Sequence, residues 1–174
     1  MKTSFFNILS FWVLPGLIAG AVFLAVALIT GALATSVWAM PDGIAQTIGI
    51  AAPADYSFAL VPVLVGVAVH LALSIVLGAI FTAFARWLRL RGWVLVVAAI
   101  IFVTIETPVA LWVVMYNLLP ATTFHFFLGA IPWWGSVAGH YMYALILGLL
   151  LALNPLTADW KAQRPGTRLS ARES

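Results

Sequence analysis

The sequence predicts an all-α integral membrane protein, a four-helix bundle with a parallel internal repeat that relates spans 1 and 2 to spans 3 and 4. Composition is the first reason, since 64% of the 174 residues are hydrophobic, only 7% are charged, and the mean hydropathy is +1.13. So little polar surface cannot cover a water-soluble globule. Length is the second reason, because roughly 20 apolar residues cross a bilayer. The chain therefore has room for four spans and for no large extramembrane domain.

Four apolar segments follow one another along the chain. The first, at about residues 5–40, is too long for the apolar region of a signal peptide and lacks a small-residue cleavage site, so we expect it to remain as a span. Residues 41–56 are semi-polar and predict a loop with a short interfacial helix that Asp42 caps. The other spans are predicted at residues 58–87, 93–119 and 133–154, so that residues 1–156 form the bundle and residues 157–174 form a basic, partly disordered tail.

The basic residues predict how the bundle is oriented. All eight Lys and Arg fall on one side of it, with Lys2 at the start, three arginines at 86–91 and four residues in the tail. Cytoplasmic loops of membrane proteins carry the excess of Lys and Arg. Both termini are therefore expected in the cytoplasm, with the bundle in a bacterial inner membrane. Topology thus explains the basic isoelectric point, and no nucleic-acid partner is expected.

A pattern that occurs twice relates the second span to the fourth. A Pro, a His and a Gly are spaced by eight residues each in segment 62–78, and segment 132–148 repeats them at an offset of 70 residues. Both spans run from outside to inside, so the repeat is parallel, with a pseudo-two-fold axis along the membrane normal. His70 and His140, at the centres of the two segments, are therefore expected at equal depth. At equal depth, two side chains can share one ligand.

Ionisable groups inside a membrane are costly and are therefore candidates for function. The core is predicted to contain three of them, His70, Glu106 and His140. Each histidine lies on a ridge of small residues at i+4 spacing, which predicts that it faces other helices. Glu106 is expected to orient a ligating imidazole, to serve as a proton site, or only to hydrogen-bond a histidine. The small residues expected to make room for a ligand beside the histidines are Gly66, Ser74, Gly78 and Gly139.

The histidine pair has three interpretations. His70 and His140 can be the axial ligands of one haem b, which needs two neutral imidazoles on facing helices. They can instead ligate a transition metal ion, together with a further ligand such as Glu106. In the third interpretation no cofactor is bound, and the two imidazoles hydrogen-bond to neighbouring groups and hold helices together.

Other chemistry finds little support in the sequence. The chain has no cysteine, which excludes disulfides and thiolate catalysis. It also lacks a Gly-rich phosphate loop, a nucleophile elbow and a carboxylate dyad, so the activity of a hydrolase or a kinase is not expected. His125 lies in an outer connection among phenylalanines and is predicted to be an interfacial residue.

Two resemblances follow from these residues. A four-helix bundle with a histidine pair near its outer side resembles the membrane subunits of b-type cytochromes in general shape, and the residues that carry this likeness are His70, His140 and their glycines. Those proteins commonly hold two haems through four histidines, so one pair implies at most one haem here. The spacing of Gly66, His70, Ser74 and Gly78, followed by a second span with His and Gly, also resembles small bacterial four-helix inner-membrane proteins, which implies a fold and no function.

These observations favour a redox-associated membrane protein that binds one haem or metal ion between spans 2 and 4. The alternative is a non-catalytic structural or accessory subunit of a larger membrane complex. A small pathway for protons or cations is a further alternative. The expected partners are the lipid bilayer and either a larger membrane complex or further copies of the same chain.

Overall fold

The long apolar runs of the sequence form helices, because a helix satisfies its own backbone hydrogen bonds without water. The computed structural model describes residues 9–109 and 116–154, and all regular structure within them is helical. The all-α prediction is therefore confirmed for this part of the chain. A π-helical turn, Leu9–Val13, leads directly into the first of seven described α-helices, which are α1 (Leu14–Ala34), α2 (Ala39–Thr47), α3 (Leu60–Trp87), α4 (Trp93–Pro108), α5 (Tyr116–Leu118), α6 (Ala121–Ala130) and α7 (Trp133–Leu153).

Three helices are long and apolar enough to cross a membrane. They are the helix at Phe11–Ala34, α3 and α7, with mean hydropathies of 2.5, 2.6 and 1.7. The remaining predicted span is represented by α4, which has 16 residues and ends at Pro108. Residues 110–115, the tail from residue 155 onwards and residues 1–8 lie outside the described residues. The length of the third span and the disorder of the tail therefore stay predictions.

The four longest helices pack around a shared core. α1 packs against both α3 and α7, and α7 packs against α4 on its other side. The rings of Phe81 on α3 and Phe102 on α4 have centroids 5.5 Å apart, which links these two helices. The second and fourth spans, α3 and α7, therefore lie diagonally across from each other, and α1 contacts both.

Two glycines let neighbouring backbones touch. A Cβ atom at Gly78 would lie 2.7 Å from the Cα of Gly16 on α1, and one at Gly148 would lie 2.6 Å from the Cα of Val96 on α4. Side-chain carbons do not approach backbone atoms so closely, so both helix contacts require glycine. This use of small residues is the common way for apolar helices to approach each other.

Two short helices, α2 and α6, cover one end of the core, and we call them the cap. α2 packs against α3 and α6, and Gly66 on α3 leaves space for the carbonyl group of Pro41. The hydroxyl group of Tyr56 donates to the carbonyl oxygen of Phe126 at 2.8 Å, which ties the loop after α2 to α6. The arginines at 86–91 lie at the opposite end, where α3 connects to α4.

Asp42 lies inside the cap, and the prediction that it caps a helix is wrong. α2 begins at Ala39, with Trp38 as its N-cap residue, and no side chain makes a capping bond there. The turn starts earlier than expected because Ser36 Oγ accepts the backbone N–H of Trp38 at 3.2 Å. Asp42 is fully buried, and among the described residues neither carboxyl oxygen has a hydrogen-bond partner. Burial, with a smaller contribution from the charge of Asp55, raises the pKa of Asp42 from 3.8 to about 6.

The substitution Gly78→Leu is expected to separate α1 from α3. Overpacking a core costs about 1–3 kcal/mol. The leucine side chain would meet the backbone of Gly16, which cannot move aside by changing a rotamer. Thermal unfolding of the purified protein in detergent measures the loss. Ala72→Leu, on the exposed face of the same helix, is the control and should leave the midpoint unchanged. An equal midpoint for both variants would contradict the packing described for Gly78.

Asp42 is expected to make stability fall as the pH rises. Between pH 3.8 and about 6, the folded protein keeps a proton on this carboxyl that the unfolded chain has already lost. The free energy of unfolding should therefore decrease across this window and become level above it. Unfolding in detergent buffers of graded pH tests this, and Asp42→Asn should remove the decrease.

The matched control for this titration is Asp55→Asn. It should keep most of the decrease, because burial of Asp42 contributes more to the shift than the charge of Asp55 does. If the free energy of unfolding depended on pH between 4 and 6 in the same way for the wild-type protein and for Asp42→Asn, the assignment would be refuted.

Candidate functional site

A cavity of about 360 Å³ lies among the helices, beneath the cap. It is partly open, because Ile48 and Leu73 in its wall are more than half exposed. Apolar side chains form most of its wall, among them Phe23 on α1, Met40 and Ile44 on α2, and Phe102 on α4. Ligand sites in proteins are commonly cavities of this kind, about 300–1,000 Å³ in volume and apolar apart from a few convergent polar groups. The polar side chains that line this one are Thr47, His70, Ser74, Glu106, Ser136, His140 and Tyr143.

His70 reaches the cavity from α3 and is held by α1. Its Nε2 atom lies 3.0 Å from the carbonyl oxygen of Gly20. A carbonyl oxygen can only accept, so the hydrogen-bond network assigns the ring hydrogen to Nε2. The Nδ1 atom of a neutral ring then keeps its lone pair, and it has no hydrogen-bond partner among the described residues.

His140 reaches the same cavity from α7 and is held by its own helix. Its Nδ1 atom lies 2.8 Å from the carbonyl oxygen of Ser136, whereas the hydroxyl oxygen of that residue is 3.4 Å away. The shorter contact requires an N–H donor, which assigns the hydrogen to Nδ1. Nε2 of this half-buried ring is therefore the atom with a lone pair. The two histidines thus have opposite tautomers and the same capacity to accept.

Phe23 is the residue that joins the two histidines, and sequence reasoning missed it. Its ring centroid lies 4.9 Å from that of His70 and 4.7 Å from that of His140. A signal for it does exist in the sequence. Phe23 follows Gly16 and Gly20 at helical spacing, on the face that these two glycines turn towards α3.

Tyr143 connects α7 to α3 across the diagonal. Its hydroxyl group donates to the carbonyl oxygen of Ser74 at 2.7 Å, and the Ser74 hydroxyl in turn donates to the carbonyl oxygen of His70 at 2.8 Å. Glu106 on α4 is half-buried and lines both this cavity and a second, more apolar one between α3 and α4. The three predicted ionisable residues therefore share one cavity wall.

The predicted glycines lie outside that wall. Gly66 contacts the backbone of Pro41, Gly78 contacts Gly16, and Gly139 contacts the ring of Phe23, with a Cβ atom there placed 3.2 Å from it. These positions serve helix packing in this structure, whereas Ser74 does line the cavity as expected. Room for a macrocycle at the glycines stays a prediction.

The fit of the predicted cofactors can be judged from the same geometry. Within residues 9–109 and 116–154, no three His, Cys, Asp or Glu side chains come together in a way that could hold a metal ion. A haem between His70 and His140 would have to displace Phe23, which touches both rings. The orientation of each imidazole by a carbonyl oxygen is, in contrast, the arrangement in which metal-ligating histidines are usually held. His125, on α6, is exposed and does not line this cavity.

Comparison of the chain with protein-family models, with curated proteins and with solved structures finds no match.

The two imidazoles are expected to be neutral and to differ in tautomer. Nitrogen-15 NMR of protein labelled only in histidine distinguishes the two ring nitrogens, and the chain has three histidines to assign. His70 should carry its hydrogen on Nε2 and His140 on Nδ1, because each faces a carbonyl oxygen through that atom. The exposed His125 serves as the reference for an unconstrained ring. Detection of the Nε2–H form at His140, or of a doubly protonated ring at neutral pH, would contradict this assignment.

Proposed function

We propose that this chain is a four-span inner-membrane protein that binds one small molecule between α3 and α7. One observation carries the proposal. His70 and His140 each give their N–H to a backbone carbonyl and keep one lone-pair nitrogen, and both line a mostly apolar cavity. Imidazoles that only held helices together would need no shared cavity. Glu106 adds a carboxyl group to the same wall.

Two features support a bundle built from a parallel repeat. Gly78 and Gly148 occupy equivalent positions in the two halves, and each packs against the backbone of the span that precedes it, α1 for Gly78 and α4 for Gly148. Each half also has one helix of the cap between two of the four longest helices, α2 between α1 and α3, and α6 between α4 and α7. Such a repeat brings equivalent side chains to one depth in the membrane.

The distribution of charge supports an orientation with the cap outside. Arg86, Arg89 and Arg91 lie at the end opposite the cap, whereas Asp42 and Asp55 lie in the cap and its loop. Basic residues are retained on the cytoplasmic side of inner membranes. With four spans, both termini are then cytoplasmic and the cavity lies nearer the outer face.

A second candidate is a redox-associated protein that binds haem b or a transition metal ion through the same histidines. The observation in its favour is that carbonyl oxygens orient both imidazoles. His140 would then ligate through Nε2 and His70 through Nδ1, and Glu106, which lines the same cavity, is a candidate for a further ligand. Haem, or a redox-active ion such as copper, would supply one-electron chemistry when bound. Haem also requires Phe23 to move, which is why we rank this candidate second.

The proposal predicts that the protein retains one bound molecule when it is purified gently. The full chain is extracted in lipid nanodiscs, and native mass spectrometry, an absorption spectrum with and without dithionite, and metal analysis identify what is bound. His70→Leu and His140→Leu should each reduce occupancy by at least about tenfold, the factor expected for about 1.4 kcal/mol of lost polar contact. His125→Leu is the matched control and should leave it unchanged.

The outcomes separate the candidates. An organic molecule without haem or metal supports the first candidate, and a haem spectrum or stoichiometric metal supports the second. A wild-type protein that carries nothing, takes up nothing and instead copurifies with a stable larger complex would refute both and favour an accessory subunit.

A further inference from the structure

We propose that the molecule bound in this cavity is a neutral, largely apolar compound with a hydroxyl group, and that the hydroxyl donates its hydrogen to Nε2 of His140. This inference rests on the proposed function, because it names the class of ligand for the same site.

The cavity wall offers acceptors and almost no free donors. The hydroxyl groups of Thr47, Ser74 and Tyr143 donate to backbone carbonyl oxygens at 2.7, 2.8 and 2.7 Å. A hydroxyl that has given away its hydrogen still presents an oxygen lone pair. These three side chains therefore face a ligand only as acceptors.

The two imidazoles follow the same rule. Each donates its one ring hydrogen to a carbonyl oxygen, of Gly20 for His70 and of Ser136 for His140. Of the seven polar side chains that the described part of the chain contributes to the wall, five are thus acceptors only. The hydroxyl group of Ser136 is the exception, and Glu106 donates only when it is protonated. A ligand group that can only accept, such as a ketone or an ether, would leave most of these lone pairs unpaired.

The apolar wall favours a neutral donor over a cation. An ammonium group would lose its hydration in a cavity where Glu106 is the only acidic side chain among the described residues of the wall. Burying a charge without full compensation costs far more than burying a hydroxyl. The remaining wall consists of side chains such as Leu73, Leu77 and Phe127, which suit an apolar body.

His140 has the larger exposed fraction of surface of the two residues. His70 is 9% exposed and lies among buried residues, whereas His140 is only half-buried. We therefore assign the hydroxyl to Nε2 of His140. His70 borders the same cavity as a second acceptor.

A matched pair of probes tests the inference. The binding of 4-butylphenol and of 4-butylanisole to the full chain in nanodiscs is measured by isothermal titration calorimetry, with empty nanodiscs subtracted for partitioning. The two probes differ in one hydroxyl hydrogen. The phenol should bind about tenfold more tightly, as one neutral hydrogen bond allows. His140→Phe should abolish the preference of the site for the phenol over the anisole, and His125→Phe, in the exposed part of the cap, should retain it.

The other outcomes would overturn either the preference for a hydroxyl group or the proposed binding site itself. Equal binding of both probes, abolished by the cavity-filling Ser136→Phe, keeps the binding site and overturns the hydroxyl preference. A preference that survives in a folded His140→Phe, or tighter binding of 4-butylbenzylammonium than of the phenol, also overturns it. If the wild-type protein binds none of the three probes and carries no ligand of its own, the proposed function fails with it. Unfolding midpoints of each variant in nanodiscs establish that the chain is folded.

Discussion

The close approach of α1 to α3 is the contact on which the rest of the site depends. Gly16 and Gly78 let the two backbones touch, and that contact brings the carbonyl oxygen of Gly20 within 3.0 Å of His70. The carbonyl fixes the orientation and the tautomer of the ring. The same contact between α1 and α3 also places Phe23, one turn further along α1, between the two helices that carry the histidines. A contact between two glycines thus determines which nitrogen of His70 is left for a ligand.

Polar groups inside an apolar bundle must find partners, and here most of the partners are backbone carbonyls. A helix carbonyl has a second lone pair after it has accepted its own intrahelical bond, so the side chains of Ser74, Tyr143 and both histidines can be satisfied without any polar side-chain partner. The hydrogens of these side chains are thus donated within the protein, whereas the lone pairs that remain can accept hydrogen bonds from a ligand. The predominance of acceptors in the cavity wall therefore follows from the donation of these side-chain hydrogens to backbone carbonyl oxygens.

Much of the fold was predictable from the sequence, because hydrophobic length and composition depend on few competing effects. The all-α class, the bounds of the second span and the presence of a short helix near residues 41–56 follow from them. The use of Gly66 and Gly78 was not predictable in the same way. A glycine recurs at the same helical spacing whether it makes room for a ligand or for a neighbouring backbone. Only the packing of Pro41 against Gly66 and of Gly16 against Gly78 decides between the two. The prediction for Asp42 failed for a related reason. Its residue type favours an N-cap, but α2 already begins at Ala39, after a turn in which the Ser36 hydroxyl oxygen accepts the backbone N–H of Trp38.

The candidate site was only partly predictable. The spacing of His70, His140 and Glu106 indicates a shared region, and all three line one cavity. The tautomers could not be predicted, because they depend on which carbonyl oxygens lie within reach. Haem or metal binding stays a prediction, which the orientation of the imidazoles favours and the position of Phe23 opposes.

The shared contact with Phe23 has a consequence for how the two histidines respond to a ligand. Because one aromatic ring packs against both imidazoles, neither can rotate without changing the packing of the other. A molecule that contacts one histidine therefore also fixes the position of the second. The conformational entropy of the two side chains is then lost in a single step. The two histidines can therefore act as a single binding element, because a phenylalanine on a third helix couples their side chains.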